Sequence, residues 1–299
     1  MDRSFDSPDF DSPDFGSPDA PGVTGTVLAG FDGSPESVAA SEWAAREARL
    51  RGLPLELLLA WPWPKREERR QEVEQLAVRE AELRASHPEV AINSAHVPTA
   101  PPEALEEAGR RAGMLVLGSR GLGTVRGFLV GSVSQEVLRR AVCPVVLVRG
   151  GGAAPGAVLV GVDLDRPADD LLAFAFEEAA LRSAPLRVLH VWAPPPGTEY
   201  MHFDAIGGLE GEVSEAERQR FTEALAPWRA RHPEVEVSTE LTRGKAGIVL
   251  VEAAGTGTDV GLLVLGRHTR RGPLRHHLGS VAHAAIHHVH CPIAFVPLP

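Results

Sequence analysis

The chain repeats itself, and this limits its fold more than any other feature. "TVLAGFDGSPESVAASEWAAREARLRGLPLELLLAW", from Thr26 to Trp61, is echoed by "AVLVGVDLDRPADDLLAFAFEEAALRSAPLRVLHVW", from Ala157 to Trp192. Asp32 maps to Asp163 and Trp61 to Trp192, both at the same offset. "HPEV" recurs at His87 and at His232, and "LVLGSR" is echoed by "LVLGRH". Gly118, Ser132 and Cys143 map to Gly266, Ser280 and Cys291 at a second, larger offset that all three share. The offset grows because the second copy carries extra residues, mainly around "GTEYMHFDAIGGLEG". At 299 residues the chain has room for two ordinary domains, and the repeat says that they are alike.

Each copy alternates short apolar runs with helical patterns. In the first, "TVLAGF", "LELLLAW", "VAINSAHV", "MLVLG" and "CPVVLVR" read as strands. "SPESVAASEWAAREARLRG", "KREERRQEVEQLAVREAELRAS", "PPEALEEAGRR" and "SVSQEVLRRA" read as helices. Ser34 suits an N-cap with Pro35 at the first helical position. Near-continuously apolar strands separated by helices form parallel sheets covered on both faces. The predicted class is therefore α/β: two tandem Rossmann-like domains, each a five-stranded mostly parallel sheet with helices on both faces. The domains should span residues 23–149 and 157–299, joined by a linker at 150–156 within "RGGGAAPGA". Both last strands, "CPVVLVR" and "CPIAFVP", are apolar and would expose an unpaired edge. They are expected to pair with each other about a pseudo-two-fold axis, leaving other surfaces open to a homodimer.

One stretch asks for a ligand. "LGSRGLGTVRGFLVGSVSQ", Leu117 to Gln135, runs from a strand through a glycine loop into a helix. Ser132 reads as the N-cap, with Gln135 completing a capping box. Glycines that let a ligand approach the backbone, together with free amides at a helix start, make an anion site, and phosphate is the first candidate. A plain loop is the alternative. In α/β sheets ligands sit beyond the carboxyl ends of the strands, and Asp32 shares that edge with the loop. Aspartate before Gly33-Ser34 also suits a turn and helix start.

Gly118-x2-Gly121-x9-Gly131-Ser132 resembles the ATP-binding signature of the universal stress proteins, as do "GFDGS" after the first strand and "AVCPVVLV" at the end of the copy. The resemblance covers nearly everything after residue 22, twice over. It implies that Asp32 contacts the adenine or ribose side of ATP, with or without Mg2+. It implies that Gly30 and Phe31 wall the pocket and that Leu59 and Ala60 lie near the base. Leu117, Gly118, Arg120, Gly121, Gly131, Ser132, Val133 and Ser134 would hold ribose and phosphates. Arg120 and Arg126 fit either added charge at the loop or solvent exposure. The implied function is nucleotide-dependent stress sensing or signalling without catalysis in the usual sense. A slow ATPase or adenylyl-transfer enzyme, or an interaction module with no nucleotide, are the rivals.

The second copy keeps Asp163, Gly266, Gly279 and Ser280 but departs elsewhere. Thr269 stands where the second glycine belongs, and a β-branched residue is costly at positive φ. Its loop, "GRHTRRGPLRHHLGS", is crowded with Arg267, Arg270, Arg271, Arg275, His268, His276 and His277, and attracting an anion is the open alternative there. Neither copy contains a P-loop, HExxH or GxSxG. His283 and His287 are one helical turn apart, which fits a surface helix or, less simply, a metal pair. Cys143 and Cys291 read as small buried hydrophobes.

The first 22 residues form an acidic tail in which Ser-Pro-Asp recurs at Ser7, Ser12 and Ser17. It is expected to be disordered. Phe5, Phe10 and Phe15 are docking points if it has a partner. A formal net charge of −10 opposes general nucleic-acid binding. No apolar run approaches a membrane span, and the acidic N-terminus lacks the apolar core of a signal peptide, so a cytoplasmic protein is expected.

Overall fold

The computed structural model describes residues 25–62, 70–119, 131–149, 155–192, 203–255, 259–268 and 278–298. The expected acidic tail, most of both glycine loops and much of the linker lie outside them.

The first half runs β1 (Thr26–Gly30), α1 (Pro35–Arg51), β2 (Leu55–Ala60), α2 (Arg70–Ser86), β3 (Ile92–Val97), α3 (Pro101–Gly109), β4 (Ala112–Gly118), α4 (Ser132–Arg140) and β5 (Val145–Val148). The second runs β6 (Ala157–Val162), α5 (Asp169–Arg182), β7 (Leu186–Trp192), α6 (Phe203–Arg231), β8 (Val237–Arg243), α7 (Ala246–Ala253), β9 (Val260–His268), α8 (Ser280–His288) and β10 (Ile293–Leu298). The expected α/β architecture is present, and the two five-stranded sheets merge into one. Strand order is β3-β2-β1-β4-β5-β10-β9-β6-β7-β8. Pairing is parallel except at the join, where β5 and β10 run antiparallel.

Two apolar layers cover the sheet, and strand alternation assigns residues to them. Val27, Ala29, Leu55, Leu57, Leu59, Val146, Val148, Val188 and Val296 lie on the face covered by α1, α2, α5 and α6. Leu28, Leu58, Leu115, Leu147, Leu159 and Phe295 lie on the other, beneath α3, α4, α7 and α8. Each fully buried leucine contributes roughly 1.5–3 kcal/mol by leaving water.

Helix starts differ in their caps. Ser34 caps α1 as expected, its Oγ accepting from Ser37 N at 3.2 Å, with Pro35 leading the helix. At α4 the cap is Gly131 rather than Ser132, and no side chain caps the helix. Gln135 N donates to Gly131 O at 3.1 Å, so Ser132 is already inside the first turn, and the predicted Ser132 cap does not form.

Candidate functional site

In each half the strand order reverses beside the first strand, between β1 and β4 and between β6 and β9. The crevice outside such a reversal is where open α/β sheets take ligands. In the first half it is bounded by the turn after β1 and the start of α4. Asp32 stands exposed there, its Oδ1 accepting from Ser34 N (3.0 Å) and Ser34 Oγ (2.5 Å). The turn and helix-start role of Asp32 is thus visible in the geometry. Gly33 has φ +79°, a conformation that favours glycine.

Gly118 passes the first turn of α1 closely. A Cβ there would lie 2.6 Å from the Glu36 carbonyl carbon and 2.9 Å from Ser37 N. Ser134 Oγ donates to Gly118 O at 3.4 Å. A chain of contacts therefore joins Asp32, Ser34, Ser37, Gly118 and Ser134, binding the two loops of the crevice together. Gly131 faces open space: a Cβ added to it would meet nothing within 4 Å, and Ser132 beside it is exposed. Val133 is half-buried against the α3–α4 layer.

The remaining predicted residues divide by face. Ala60 and Leu117 belong to the layer under α3 and α4. Gly30 joins them, because its missing Cβ would meet Leu117 Cδ2 at 2.7 Å and Leu105 at 3.3 Å. Phe31 and Leu59 point to the opposite layer, packed with Trp43 and Ala44. Neighbours along a strand point to opposite faces, so the Phe31 and Leu59 side chains lie on the α1 side of the sheet and Ala60 and Leu117 on the α3 side. Arg120, Gly121 and Arg126 lie outside the described residues.

In the second half the loop after β6 bonds to itself and to α6. Asp163 accepts from Asp165 N at 3.1 Å and pairs with Arg166 Nε at 3.1 Å. Arg220, from α6, donates to Leu164 O at 2.8 Å and to Asp165 at 3.0 Å. His190 occupies the place that Leu59 holds in the first copy. It is buried, with Nδ1 2.9 Å from Val162 O and Nε2 3.4 Å from Glu217. Neither His190 nor the α6 residues Glu217 and Arg220 stood out in the sequence; the substitution of histidine for leucine within the repeat is the signal that could have found them. Gly266 would meet the Leu298 side chain at 2.5 Å, not helix backbone. Gly279 is as open as Gly131, and Ser280 is exposed. Arg267, read from sequence as part of a basic loop, instead ends inside the fold. It sits on β9, 6% exposed, and donates to Ala141 O across the join. Thr269, Arg270, Arg271, Arg275, His276 and His277 lie outside the described residues.

Cys143 is buried and Cys291 half-buried, and both are free thiols. Burial pushes each up to about 11, opposed by backbone hydrogen bonds and by Arg267 on the first and Arg149 on the second. That suits packing rather than redox chemistry. The rings of His283 and His287 are 4.3 Å apart on α8. Among the described residues no group of three or more histidine, cysteine or acidic side chains is placed to hold a metal ion. None of the described helices is long and apolar enough to cross a membrane.

The universal stress protein family model matches residues 24–149 and, separately, 156–297. A universal stress protein of Mycobacterium tuberculosis is 32% identical over 291 residues, covering 89% of this chain and 95% of its own. Another, from Mycolicibacterium smegmatis, is 31% identical over 276 residues, covering 86% and 91%. The crystal structure of a universal stress protein from Archaeoglobus fulgidus matches with a TM-score of 0.66 at 18% identity, covering 91% of this chain and 98% of that one. At that identity the match shows a shared fold.

Proposed function

The chain belongs to the universal stress protein family, and on that footing we propose that its first half binds ATP as a regulatory ligand in stress signalling in the cytoplasm. The observation that carries this reading is the chain of contacts from Asp32 through Ser34, Ser37 and Gly118 to Ser134, which brings the turn after β1 against the start of α4, whereas Gly266 meets the Leu298 side chain. In the second half Arg166 and Arg220 reach into the loop that holds Asp163. Asp32 and Asp163 are both exposed, and α4 and α8 both start without a side-chain cap. Uncapped first-turn amides and the helix dipole favour a phosphate.

The residues present fit such a ligand. Gly131 leaves room where a side chain would stand, and Ser132 lies open beside it. Backbone amides of Ser132, Val133 and Ser134 would receive phosphate oxygens. Asp32 would accept from ribose or base, with Ala60 and Leu117 as the apolar wall. ATP brings the negative charge that this end of α4 answers; the chain binds and orients it. With no recognised hydrolytic motif in the sequence, the reading is a binding protein rather than an enzyme. The Phe31 and Leu59 side chains face the other layer.

ATP titration of Gly131→Asp and Gly279→Asp tests the assignment. The first substitution adds a negative charge at the open start of α4 and should weaken binding at least tenfold, about 1.4 kcal/mol. The second should change it less than twofold. The opposite ranking would place the site in the second half. Nucleotide released on denaturation, identified by mass spectrometry, tests whether ATP is the resident ligand. Single-turnover hydrolysis at the rate of a working ATPase would replace the regulatory reading with an enzymatic one.

A further inference from the structure

The join between the halves contains buried charge, and the repeat itself places it. Glu47 and Glu178 are equivalent positions of the two copies, as are Arg51 and Arg182, and Trp43 and Phe174. Each arginine follows its own glutamate by one helical turn and bonds it: Arg51 Nε to Glu47 at 2.6 Å, and Arg182 Nη1 to Glu178. Each also crosses to the other half. Arg51 Nη2 reaches Glu178, and Arg182 Nη2 reaches Glu47 at 2.5 Å. Arg51 takes a further partner in Glu177 at 2.7 Å. The aromatic contacts cross as well, with Arg51 5.7 Å from the centre of the Phe174 ring and Arg182 5.6 Å from that of Trp43. The Glu47, Arg51 and Glu178 side chains are 1%, 2% and 0% exposed.

The strands obey the same symmetry. Val146 lies opposite Ala294, its own equivalent in the second copy, flanked by Val145 with Phe295 and Leu147 with Ile293. The pseudo-two-fold axis therefore runs through the centre of both the β5–β10 ladder and the ion quartet. A surface related to its partner in this way is self-complementary: whatever each half offers, it also requires.

We propose that the aromatic–Glu–Arg triplet, spaced four residues apart on α1 and again on α5, is a pairing code, and that the partner it selects is the other half of the same chain. Apolar strands alone would accept many partners. Buried charges do not, because each one left unmatched keeps its desolvation cost without its ion pair. Burial acts to lower the pKa of both arginines, and the facing glutamates overcome it and hold them protonated. The carboxylates at the centre thus set the condition that a partner must meet.

The code can be rewritten without removing any charge from the quartet. Glu47→Arg with Arg51→Glu sets carboxylate against Glu178 and guanidinium against Arg182 across the internal join. The rewritten half still matches an identical half on a second chain, and so does the unaltered one. Glu178→Arg with Arg182→Glu does the same from the other side, and all four substitutions together, made with Glu177→Gln because Glu177 would otherwise face the new carboxylate at position 51, restore complementarity within the chain. The full-length proteins would be compared by thermal unfolding and sedimentation velocity. Measurements at pH 8 lie above the value of about 7 to which burial, and then Glu47, push the Glu178 carboxyl.

Each half-rewritten protein should lose on the order of 10 °C in Tm and gain mass relative to wild type as chains pair like with like. The fourfold protein should return to within a few degrees of wild type, at the wild-type mass. If a half-rewritten chain is insoluble, the fourfold protein still decides: recovery supports the code, and continued failure overturns it. Wild-type stability and mass in both half-rewritten proteins would also overturn it. Recovery in the fourfold protein with no mass gain in the half-rewritten ones still supports the code, because the partner it selects lies within the chain.

Discussion

The turn after β1 and the loop after β6 start from equivalent aspartates and end differently. After β1 the chain needs four residues to reach α1, with Ser34 as the cap and Asp32 bonded to it. After β6 the helix starts at Asp169, three residues later than the repeat would place it, and Ala168 supplies no side-chain cap. The longer loop closes on itself through Arg166 and is fastened to α6 by Arg220. Strand order, crevice position and an open glycine before the fourth helix are the same in both halves. The open glycine before the fourth helix therefore does not by itself separate the two halves. Among the described residues the halves differ in the length of the loop after the first strand and in its bonds to Arg166 and Arg220 in the second.

The comparison is broken most severely at the join. Val146→Lys and Ala294→Lys each bury an unpaired charge on the face under α1 and α5, and each should cost about 3–5 kcal/mol. Because the two residues face each other across the axis, urea unfolding should find the costs equal to within about 1 kcal/mol; a mild effect at one alone would show that the join is not energetically two-fold. A smaller effect separates the halves. Gly118→Ala drives a methyl into the backbone of α1, whereas Gly266→Ala meets the far end of the Leu298 side chain. The first should lose roughly 1–3 kcal/mol and the second markedly less. Equal losses would mean that α1 can shift as readily as a leucine side chain. The smallest difference concerns the thiols. Both should react slowly with iodoacetamide at pH 8, and half-buried Cys291 should react before Cys143, as read by peptide mass spectrometry. Fast labelling of Cys143 would show that its strand end opens.

Periodicity made most of the fold legible. The strands are short apolar runs, and Ser34-Pro35 and the two Cys-Pro pairs mark where elements begin. The last strands announced their pairing because an apolar edge needs a cover. The α4 cap was misplaced by one residue because serine is the better capping residue in isolation, while the strand end and loop set where the helix enters. At the strand ends Gly30 and Ala60 share one face and Phe31 and Leu59 the other, a division that strand alternation carries. The ion quartet was hidden for a different reason. Glutamate and arginine one turn apart on a helix normally face water, and the partner that buries Glu47 comes from the other copy of the repeat. Only laying the two copies side by side shows the same three residue positions filled the same way. Arg220 was beyond reach, since α6 lies in the part of the second copy where the repeat breaks down.

The antiparallel join also sets a timetable. Val145 pairs with Phe295, so the last ladder of the sheet awaits most of the second copy after the first half has left the ribosome. At about 5–20 residues per second, β5 stands bare for roughly 10–30 s, long compared with the folding of a domain of this size. Throughout that interval the nascent first half exposes an apolar strand edge together with Glu47 and Arg51, which have no opposite numbers yet. Every other chain emerging from the same message offers an identical edge. In the finished protein only β3 and β8 remain as outer strands of the described sheet, so the exposure belongs to synthesis alone, and the correct cis pairing is a race that each ribosome runs against its neighbours.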